Sequence, residues 1–344
     1  MSYRAHIVKT WDRHILSSVL LELTYQCNLD CFFCYNDRKL QGKPLAKEDY
    51  FRLLEDLTDM QVLNLGLSGG EPLAHPDFWA IGRRARELGF VVRIKSNGHA
   101  LGPVLARRLK KEVDPFNVDI SLHGACAETH DRQTRIPGSF ARLMENLKTM
   151  QDLGLRIKLN SVLTTWNEGE IEQMMVLADN LGLSMNVDTR ITPRDDGDTT
   201  PLDISGSVEG IRTVLRLQQS RADIRRLQTK NEPEKKLKTE SRHHCGAGSS
   251  TLTVDPLGNV YPCVQWRQAI GNLHANRVRE LWDGSGELAR IRGVTEQVKR
   301  SMVSFEDSGR SMGFCPALAE KRTGDPLKFD PEILKRLRAL AADE

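Results

Sequence analysis

The chain has 344 residues, of which 39% are hydrophobic and 28% are charged, a composition typical of a soluble globular protein. This length allows one large domain and a smaller one, and no apolar stretch reaches the roughly 20 residues that a membrane-spanning helix needs. The net charge of +3 is too small to indicate nucleic-acid binding. The N-terminus lacks the apolar core of a signal peptide, so we expect a cytoplasmic protein with neither membrane nor nucleic acid among its partners.

Short apolar runs alternate with amphipathic stretches from Val19 to about residue 220. The predicted strands are Val19–Leu23, Val62–Leu67, Val91–Lys95, Asn117–Leu122, Arg156–Leu163 and Met185–Asp188. The predicted helices are Lys47–Met60, Pro76–Leu88, Val104–Lys111, Phe140–Leu153, Glu168–Leu181 and Ser207–Gln219. Six strand-then-helix units imply a parallel sheet with right-handed crossovers, and six are fewer than the eight of a closed barrel. We therefore expect an open, partial α/β barrel.

The alternation of predicted strands and helices ends at a charged segment, residues 221–242. This segment is predicted to be a helix end followed by a linker. Beyond it, residues 251–261 predict a β-hairpin, and Pro331 to Ala342 predict an amphipathic helix. The expected organisation is a barrel over residues 1–220, the linker, and a C-terminal domain over residues 243–344.

Six of the seven cysteines fall into two groups. The first group is Cys27, Cys31 and Cys34, and the second is Cys245, Cys263 and Cys315. The odd count, the long chain and the missing signal peptide favour metal ligation over disulfides. The first group forms a C-x3-C-x2-C triplet directly after the first predicted strand, and three thiolates would leave one iron of a [4Fe–4S] cluster open to another ligand. For either group the alternative is a tetrahedral zinc site.

The triplet and the motifs that follow it resemble the signature of the radical S-adenosylmethionine (radical SAM) superfamily. Those motifs are Ser68-Gly69-Gly70-Glu71-Pro72, Lys95-Ser96-Asn97-Gly98, Ser121-Leu122-His123-Gly124, and His130-Asp131 with Arg135 and Gly138. The resemblance implies a partial (β/α)6 radical SAM barrel, a [4Fe–4S] cluster on the triplet, and SAM bound to the open iron. It also implies SAM contacts from Phe33, Ser68, Gly69, Gly70, Glu71, Ser96, Asn97, Ser121, Arg135, Asn160 and Arg190.

The second cysteine group resembles the opening of the SPASM extension of radical SAM peptide maturases. The likeness rests on Cys245-x12-Gly258-x4-Cys263 and on Ile270-Gly271-Asn272-Leu273. The chain lacks most of the later SPASM cysteines, and Cys315 corresponds best to the last of them. The resemblance therefore implies a small α+β, SPASM/twitch-like domain with one auxiliary [4Fe–4S] cluster on Cys245, Cys263 and Cys315. His243 and His244 are candidate fourth ligands, although exposed histidines at a linker end are the commoner arrangement.

Two residues near the fourth predicted strand are candidate catalytic groups. Cys126 would return a hydrogen atom to a substrate radical if its thiol faced the mouth of the barrel, but most lone cysteines are small buried hydrophobes. His123 would accept a proton, or would only form hydrogen bonds at the strand end.

The resemblance implies reductive cleavage of SAM to a 5′-deoxyadenosyl radical, with electrons from a flavodoxin- or ferredoxin-type donor. It favours a ribosomally made precursor peptide as substrate, with cross-linking, epimerisation or backbone excision as the reaction. Only residues 1–18 precede the first strand, too few for a leader-binding domain, so a separate leader-binding partner protein is expected. One alternative is a radical SAM enzyme acting on a small molecule such as a tetrapyrrole or sugar. A non-catalytic iron–sulfur carrier or zinc-stabilised module is another, but it leaves the SAM motifs unexplained.

Overall fold

A computed structural model describes residues 3–229, 241–302 and 313–341. Its strands are β1 (Ser18–Thr24), β2 (Asn64–Gly69), β3 (Val91–Ser96), β4 (Asn117–Ser121), β5 (Ile157–Val162), β6 (Ser184–Asp188), β7 (Thr251–Val254), β8 (Asn259–Tyr261) and β9 (Gly271–Asn272). The helices are α1 (Tyr3–Asp12), α2 (Lys47–Asp59), α3 (Phe78–Glu87), α4 (Pro103–Glu112), α5 (Ala127–Thr134), α6 (Ser139–Asp152), α7 (Ile171–Asn180), α8 (Val208–Thr229), α9 (Val278–Gly284), α10 (Gly286–Ser301), α11 (Pro316–Thr323) and α12 (Pro331–Ala341). Across these described ranges, no helix is long and apolar enough to cross a membrane.

The described strands form one sheet in the order β6-β5-β4-β3-β2-β1-β7-β8-β9. Strands β1 to β6 run parallel, each beside its neighbour in sequence. This arrangement is the partial α/β barrel expected from the sequence, and each of the six predicted strands is present. Because all their carboxyl ends meet at one edge, the loops that follow them are brought together there.

The hydrophobic core lies between the parallel strands and the helices that cover them. In β1, Val19, Leu21 and Leu23 are almost completely buried, and the same alternation continues in β2. Helix α2 buries Tyr50, Leu53, Leu54 and Leu57, which lie on one face at helical spacing. Burial of these apolar faces fixes each helix to the sheet and so holds the loops at the carboxyl edge in place.

The C-terminal region extends the barrel sheet. Strand β7 pairs parallel with β1, and β7 and β8 form the antiparallel hairpin that the sequence predicts. Helix α8 continues to Thr229, ten residues beyond its predicted end at Gln219, so it covers the first part of the predicted linker. The rest of that linker, residues 230–240, lies outside the described residues. The predicted C-terminal helix is present as α12, and its Ala339 packs in a cluster with Ile211 and Val214 of α8.

Candidate functional site

A cavity of about 460 Å³ opens at the carboxyl edge of the parallel strands. All three thiols of the first triplet line it, and each of strands β2 to β6 contributes residues at or near its carboxyl end. The predicted site residues that line the cavity are Cys27, Cys31, Phe33, Cys34, Ser68, Gly69, Gly70, Ser96, Asn97, Ser121, His123, Asn160 and Arg190. Motifs that are dispersed over more than 160 positions therefore meet in one space.

The triplet is held by hydrogen bonds at its own loop and at the end of β3. The backbone N–H of Leu29 donates to Cys27 Sγ at 3.4 Å, and Asn97 Nδ2 lies 3.6 Å from the same sulfur. Burial raises the pKa of the Cys27 and Cys31 thiols. Such thiols ionise when a cation binds them, and three of them on one cavity match the donor set of a three-cysteine iron–sulfur cluster.

The glycines at the end of β2 let the chain pass close to the segment that leads into the triplet. Gly69 has a φ of 132°, which favours glycine, and a Cβ on Gly70 would lie 2.8 Å from the carbonyl oxygen of Tyr25. The Gly70 N–H donates to the carbonyl of Thr24 at 2.6 Å, and the Glu71 N–H donates to that of Gln26 at 2.9 Å. These contacts fix the triplet loop to the end of β2.

Glu71 lies behind the cavity wall and is not among the residues that line it. Its carboxylate accepts hydrogen bonds from Ser96 Oγ at 3.0 Å and from the backbone N–H of Asn97 at 2.9 Å. Burial raises its pKa to about 7, and these hydrogen bonds only partly oppose that effect. Glu71 thus joins the end of β2 to the end of β3 beneath the cavity.

His123 lines the cavity as a buried and uncharged ring. Its ring centroid lies 4.7 Å from that of Phe33, and its Nδ1 lies 3.4 Å from Ser161 Oγ. Its backbone N–H donates to His130 Nδ1 at 3.1 Å. Burial, aided by the neighbouring His130 ring, lowers the pKa of His123 to about 3, so near neutral pH the neutral ring can donate one hydrogen bond and accept one.

Besides Glu71, the predicted site residues Cys126 and Arg135 lie away from the cavity-lining set. Cys126 is exposed, and its Sγ lies 3.5 Å from Glu170 Oε1. Arg135 forms an ion pair with the carboxylate of Asp30, and its Nε donates to the Asp30 carbonyl at 2.9 Å. Their expected roles, hydrogen-atom donor and SAM carboxylate ligand, stay predictions.

Arg38 is a cavity-lining cation that sequence reasoning missed. It is held by Asp30 Oδ1 at 2.9 Å and by the carbonyl of Leu29 at 3.0 Å. An arginine four residues after the last cysteine of the triplet gives no signal in sequence that separates it from an ordinary surface arginine.

Arg190 connects the two cysteine sites. Its Nε lies 3.1 Å from Asp188 Oδ1, and its Nη1 donates to the carbonyl of Gly313 at 3.3 Å. The side chain lines the main cavity and also a smaller cavity that Cys315 lines. It therefore stands between the first triplet and the auxiliary cysteines.

The second cysteine group meets in an apolar cluster. Cys245, Cys263 and Cys315 pack around Ala247, Trp266, Ile291 and Ala317. Burial raises the pKa of Cys245 to about 12 and that of Cys263 to about 11. Three thiols shielded from water by apolar side chains fit an iron–sulfur cluster. In the part of the chain that the structure describes, no group of three or more His, Cys, Asp or Glu side chains is arranged to hold a single metal ion.

The two histidines before Cys245 are not exposed, in contrast to the arrangement that a linker end commonly gives. His243 is buried, with Nδ1 2.9 Å from Thr295 Oγ1 and Nε2 3.2 Å from His14 Nε2. His244 is half-buried, and its Nε2 lies 2.9 Å from the carbonyl oxygen of Phe314.

A buried ion-pair network joins the C-terminal region to the barrel, and sequence reasoning missed it too. Arg267 donates to both carboxylate oxygens of Glu22 at 2.8 Å, and its Nε lies 2.9 Å from Asp195 Oδ2. Lys321 also pairs with Asp195, at 3.1 Å. The Tyr35 hydroxyl, one residue beyond Cys34, donates to Glu22 at 3.1 Å. The network thereby links segments adjacent to both cysteine groups.

Two family models match the chain. The Radical SAM superfamily model covers residues 21–178, and the model of an iron–sulfur cluster-binding domain, SPASM, covers residues 245–306. The first range contains the triplet and the ends of β2 to β5, while the second contains Cys245 and Cys263 but not Cys315.

The chain is similar over nearly its whole length to several characterised proteins. It is 31% identical to mycofactocin maturase MftC of Mycobacterium ulcerans, over 91% of this chain and 86% of that protein. It is 27% identical to PqqA peptide cyclase of Ruegeria pomeroyi, over 91% and 86% of the two chains. It is also 27% identical to AdoMet-dependent heme synthase of Methanosarcina barkeri, over 92% of this chain and 95% of that protein.

Solved structures share the fold. SuiB of Streptococcus suis bound to the precursor peptide SuiA superposes with a TM-score of 0.67 at 15% identity, covering 84% of this chain and 69% of that one. Native anSMEcpe with bound AdoMet and the Cp18Cys peptide superposes with a TM-score of 0.69 at 15% identity, covering 95% and 96%.

Proposed function

Because the chain belongs to the radical SAM superfamily, we propose that it reductively cleaves S-adenosylmethionine and modifies a ribosomally made precursor peptide. The observation that carries the proposal is the 31% identity to mycofactocin maturase over 91% of this chain. The meeting of the triplet, the Gly-Gly-Glu segment and the strand-end polar residues in one cavity supports it. The modification of the peptide would be cross-linking, epimerisation or backbone excision.

In this proposal the triplet thiols would hold a [4Fe–4S] cluster, the surrounding residues would bind SAM, and Cys245, Cys263 and Cys315 would hold one auxiliary [4Fe–4S] cluster. The reduced cluster, when bound, supplies the electron that cleaves SAM to the 5′-deoxyadenosyl radical. The backbone at Gly69 and Gly70 offers close approach for the amino group of SAM, because neither residue has a side chain in the way. Phe33 and the neutral His123 ring form a wall that keeps water from the reacting atoms.

The proposed partners follow from this reaction. An electron donor of the flavodoxin or ferredoxin type would reduce the clusters, and a separate leader-binding protein would present the precursor peptide. We place the reaction in the cytoplasm, where such donors and the ribosome's products are available.

A second candidate substrate class is the tetrapyrroles. The similarity to AdoMet-dependent heme synthase, which covers 95% of that protein, favours it specifically. The reaction would use the same cavity and the same triplet, so only the substrate distinguishes the two candidates.

Substrate tests with anaerobically reconstituted protein separate these possibilities. With dithionite and SAM we expect 5′-deoxyadenosine from the native chain and none from the Cys27→Ala, Cys31→Ala, Cys34→Ala triple variant. We then expect coexpression with a precursor peptide encoded beside the gene to change the mass of that peptide. An unchanged peptide together with a changed tetrapyrrole would favour the second candidate, and absence of 5′-deoxyadenosine would exclude both.

A further inference from the structure

His244 has one ring nitrogen bonded and the other without a partner. Its Nε2 lies 2.9 Å from the carbonyl oxygen of Phe314, which can only accept, so Nε2 carries the ring hydrogen. In the neutral ring Nδ1 is then an unprotonated acceptor. This Nδ1 is shielded from solvent and has no hydrogen-bond partner within the described residues. A buried lone pair without a hydrogen-bond donor is costly, and a metal ion is a natural partner for it.

His244 belongs to the segments that carry the auxiliary cysteines. His244 directly precedes Cys245, and Phe314 directly precedes Cys315. The Nε2 hydrogen bond therefore joins two of the three cysteine segments. The His244 N–H also donates to the carbonyl of Thr295 in α10, at 3.0 Å, which fixes the backbone of the histidine.

His243 does not offer the same chemistry. Its two ring nitrogens are both occupied, by Thr295 Oγ1 and by His14 Nε2. Of the two histidines that precede Cys245, only His244 thus has a ring nitrogen free for ligation.

We propose that His244 Nδ1 is the fourth protein ligand of the auxiliary [4Fe–4S] cluster, beside Cys245, Cys263 and Cys315. Metal-bound histidines commonly donate their other ring N–H to a backbone carbonyl, as His244 does to Phe314. Histidine also replaces cysteine as a ligand in some iron–sulfur centres. This inference rests on the proposed function, which supplies the cluster.

The assignment changes what the auxiliary site does. Three cysteines alone would leave one iron open to the peptide. With His244 bound, all four irons have protein ligands, so the peptide does not bind to the cluster and exchanges only electrons with it.

The decisive experiment uses the full chain with Cys27, Cys31 and Cys34 changed to alanine, so that only the auxiliary cluster remains. The protein is labelled with [15N]histidine, reconstituted anaerobically and reduced. We expect pulsed electron paramagnetic resonance to show a strongly coupled nitrogen that changes from 14N to 15N on labelling. The coupling should disappear in His244→Gln, which can keep a donor for the Phe314 carbonyl, and should persist in the matched control His243→Asn.

A second variant separates ligation from a structural role. His244→Cys supplies a thiolate but loses the hydrogen bond to Phe314, so the cluster should keep its iron content and lose the nitrogen coupling. If a reduced cluster forms but shows no histidine coupling, or if the coupling survives in His244→Gln, His244 is not a ligand and the proposed function stands. If no cluster forms in the triple variant, the auxiliary cluster of the proposed function fails, and this inference fails with it.

Discussion

Glu71 shows how one residue ties the site to the stability of the fold. Glu71 is 2% exposed, and its carboxylate accepts hydrogen bonds from Leu73, Ser96 and Asn97. Burial nevertheless dominates and raises the pKa from 4.5 to about 7. The protonated form is therefore favoured more in the folded than in the unfolded chain.

This shift predicts a loss of stability as the pH rises. The contribution of Glu71 is fully present below pH 4.5 and is lost as the pH rises through about 7. The loss amounts to about 3 kcal/mol, since each pKa unit corresponds to about 1.4 kcal/mol. The free energy of unfolding of the cofactor-free protein can be measured with urea between pH 5 and pH 8. In the Glu71→Gln variant it should lack this part of the decrease with pH. Glu48→Gln, at a largely exposed position, should keep the native slope, and an equal slope in all three proteins would contradict the assignment.

Sequence patterns located some site residues better than others. The Gly-Gly-Glu and Ser-Asn segments end strands, and strand ends are constrained by the sheet, so their place at the cavity was predictable. Cys126 lies just before α5 and Arg135 just after it, beyond the strand, where a turn of the chain decides which way a side chain faces. The local sequence does not determine that direction, and the same holds for the cavity contact of Arg38.

At the scale of elements, the parallel strands were the most predictable part of the fold. Their apolar residues are buried on the sheet, and helices with one apolar face follow them, so both periodicities are visible in the sequence. The pairing of β7 with β1 was not predictable, because these strands lie more than 200 positions apart and β7 has only four residues. The chain after the linker resembles a separate domain in sequence, yet it extends the barrel sheet.

The end of β2 packs so closely against the triplet loop that there is no room for a side chain on Gly70. A methyl group on Gly70 would contact the backbone oxygens of Tyr25 and Gln26, which cannot move without displacing the triplet loop. Gly70→Ala should therefore lower the free energy of unfolding by roughly 1–3 kcal/mol and reduce iron bound at the triplet.

Gly293→Ala is the matched control for this substitution. Gly293 lies inside α10 with nothing within 4 Å of an added Cβ, so the same change should stabilise the protein by roughly 0.5–1 kcal/mol. Urea unfolding and iron analysis of both variants test the pair. Equal effects of the two substitutions would show that close packing at Gly70 is unimportant.

At the scale of the whole molecule, the ion-pair network around Arg267 holds the two cysteine sites together. Glu22 of β1 and Asp195 of the loop after β6 both pair with the Arg267 guanidinium, and Lys321 of α11 pairs with Asp195. Glu22 is fully buried and Arg267 nearly so, and two cations balance two carboxylates. No local pattern predicts this contact, because Arg267 and Glu22 are separated by 245 positions and are brought together by tertiary structure that includes the β7–β1 pairing.

Arg267→Met should be strongly destabilising, because it leaves the buried carboxylates of Glu22 and Asp195 without their main cation. Breaking a buried pair by removing one partner costs about 3–5 kcal/mol, and removing both partners costs much less. The double variant Glu22→Met, Arg267→Met should therefore recover part of the loss, which urea unfolding of the cofactor-free chain measures as a double-mutant cycle. Arg277→Met removes an ion pair between the half-exposed Arg277 guanidinium and Asp56 that also joins the C-terminal region to the barrel, and it should have a smaller effect. Purely additive effects of the two network substitutions would mean that Glu22 and Arg267 do not stabilise the fold as a pair.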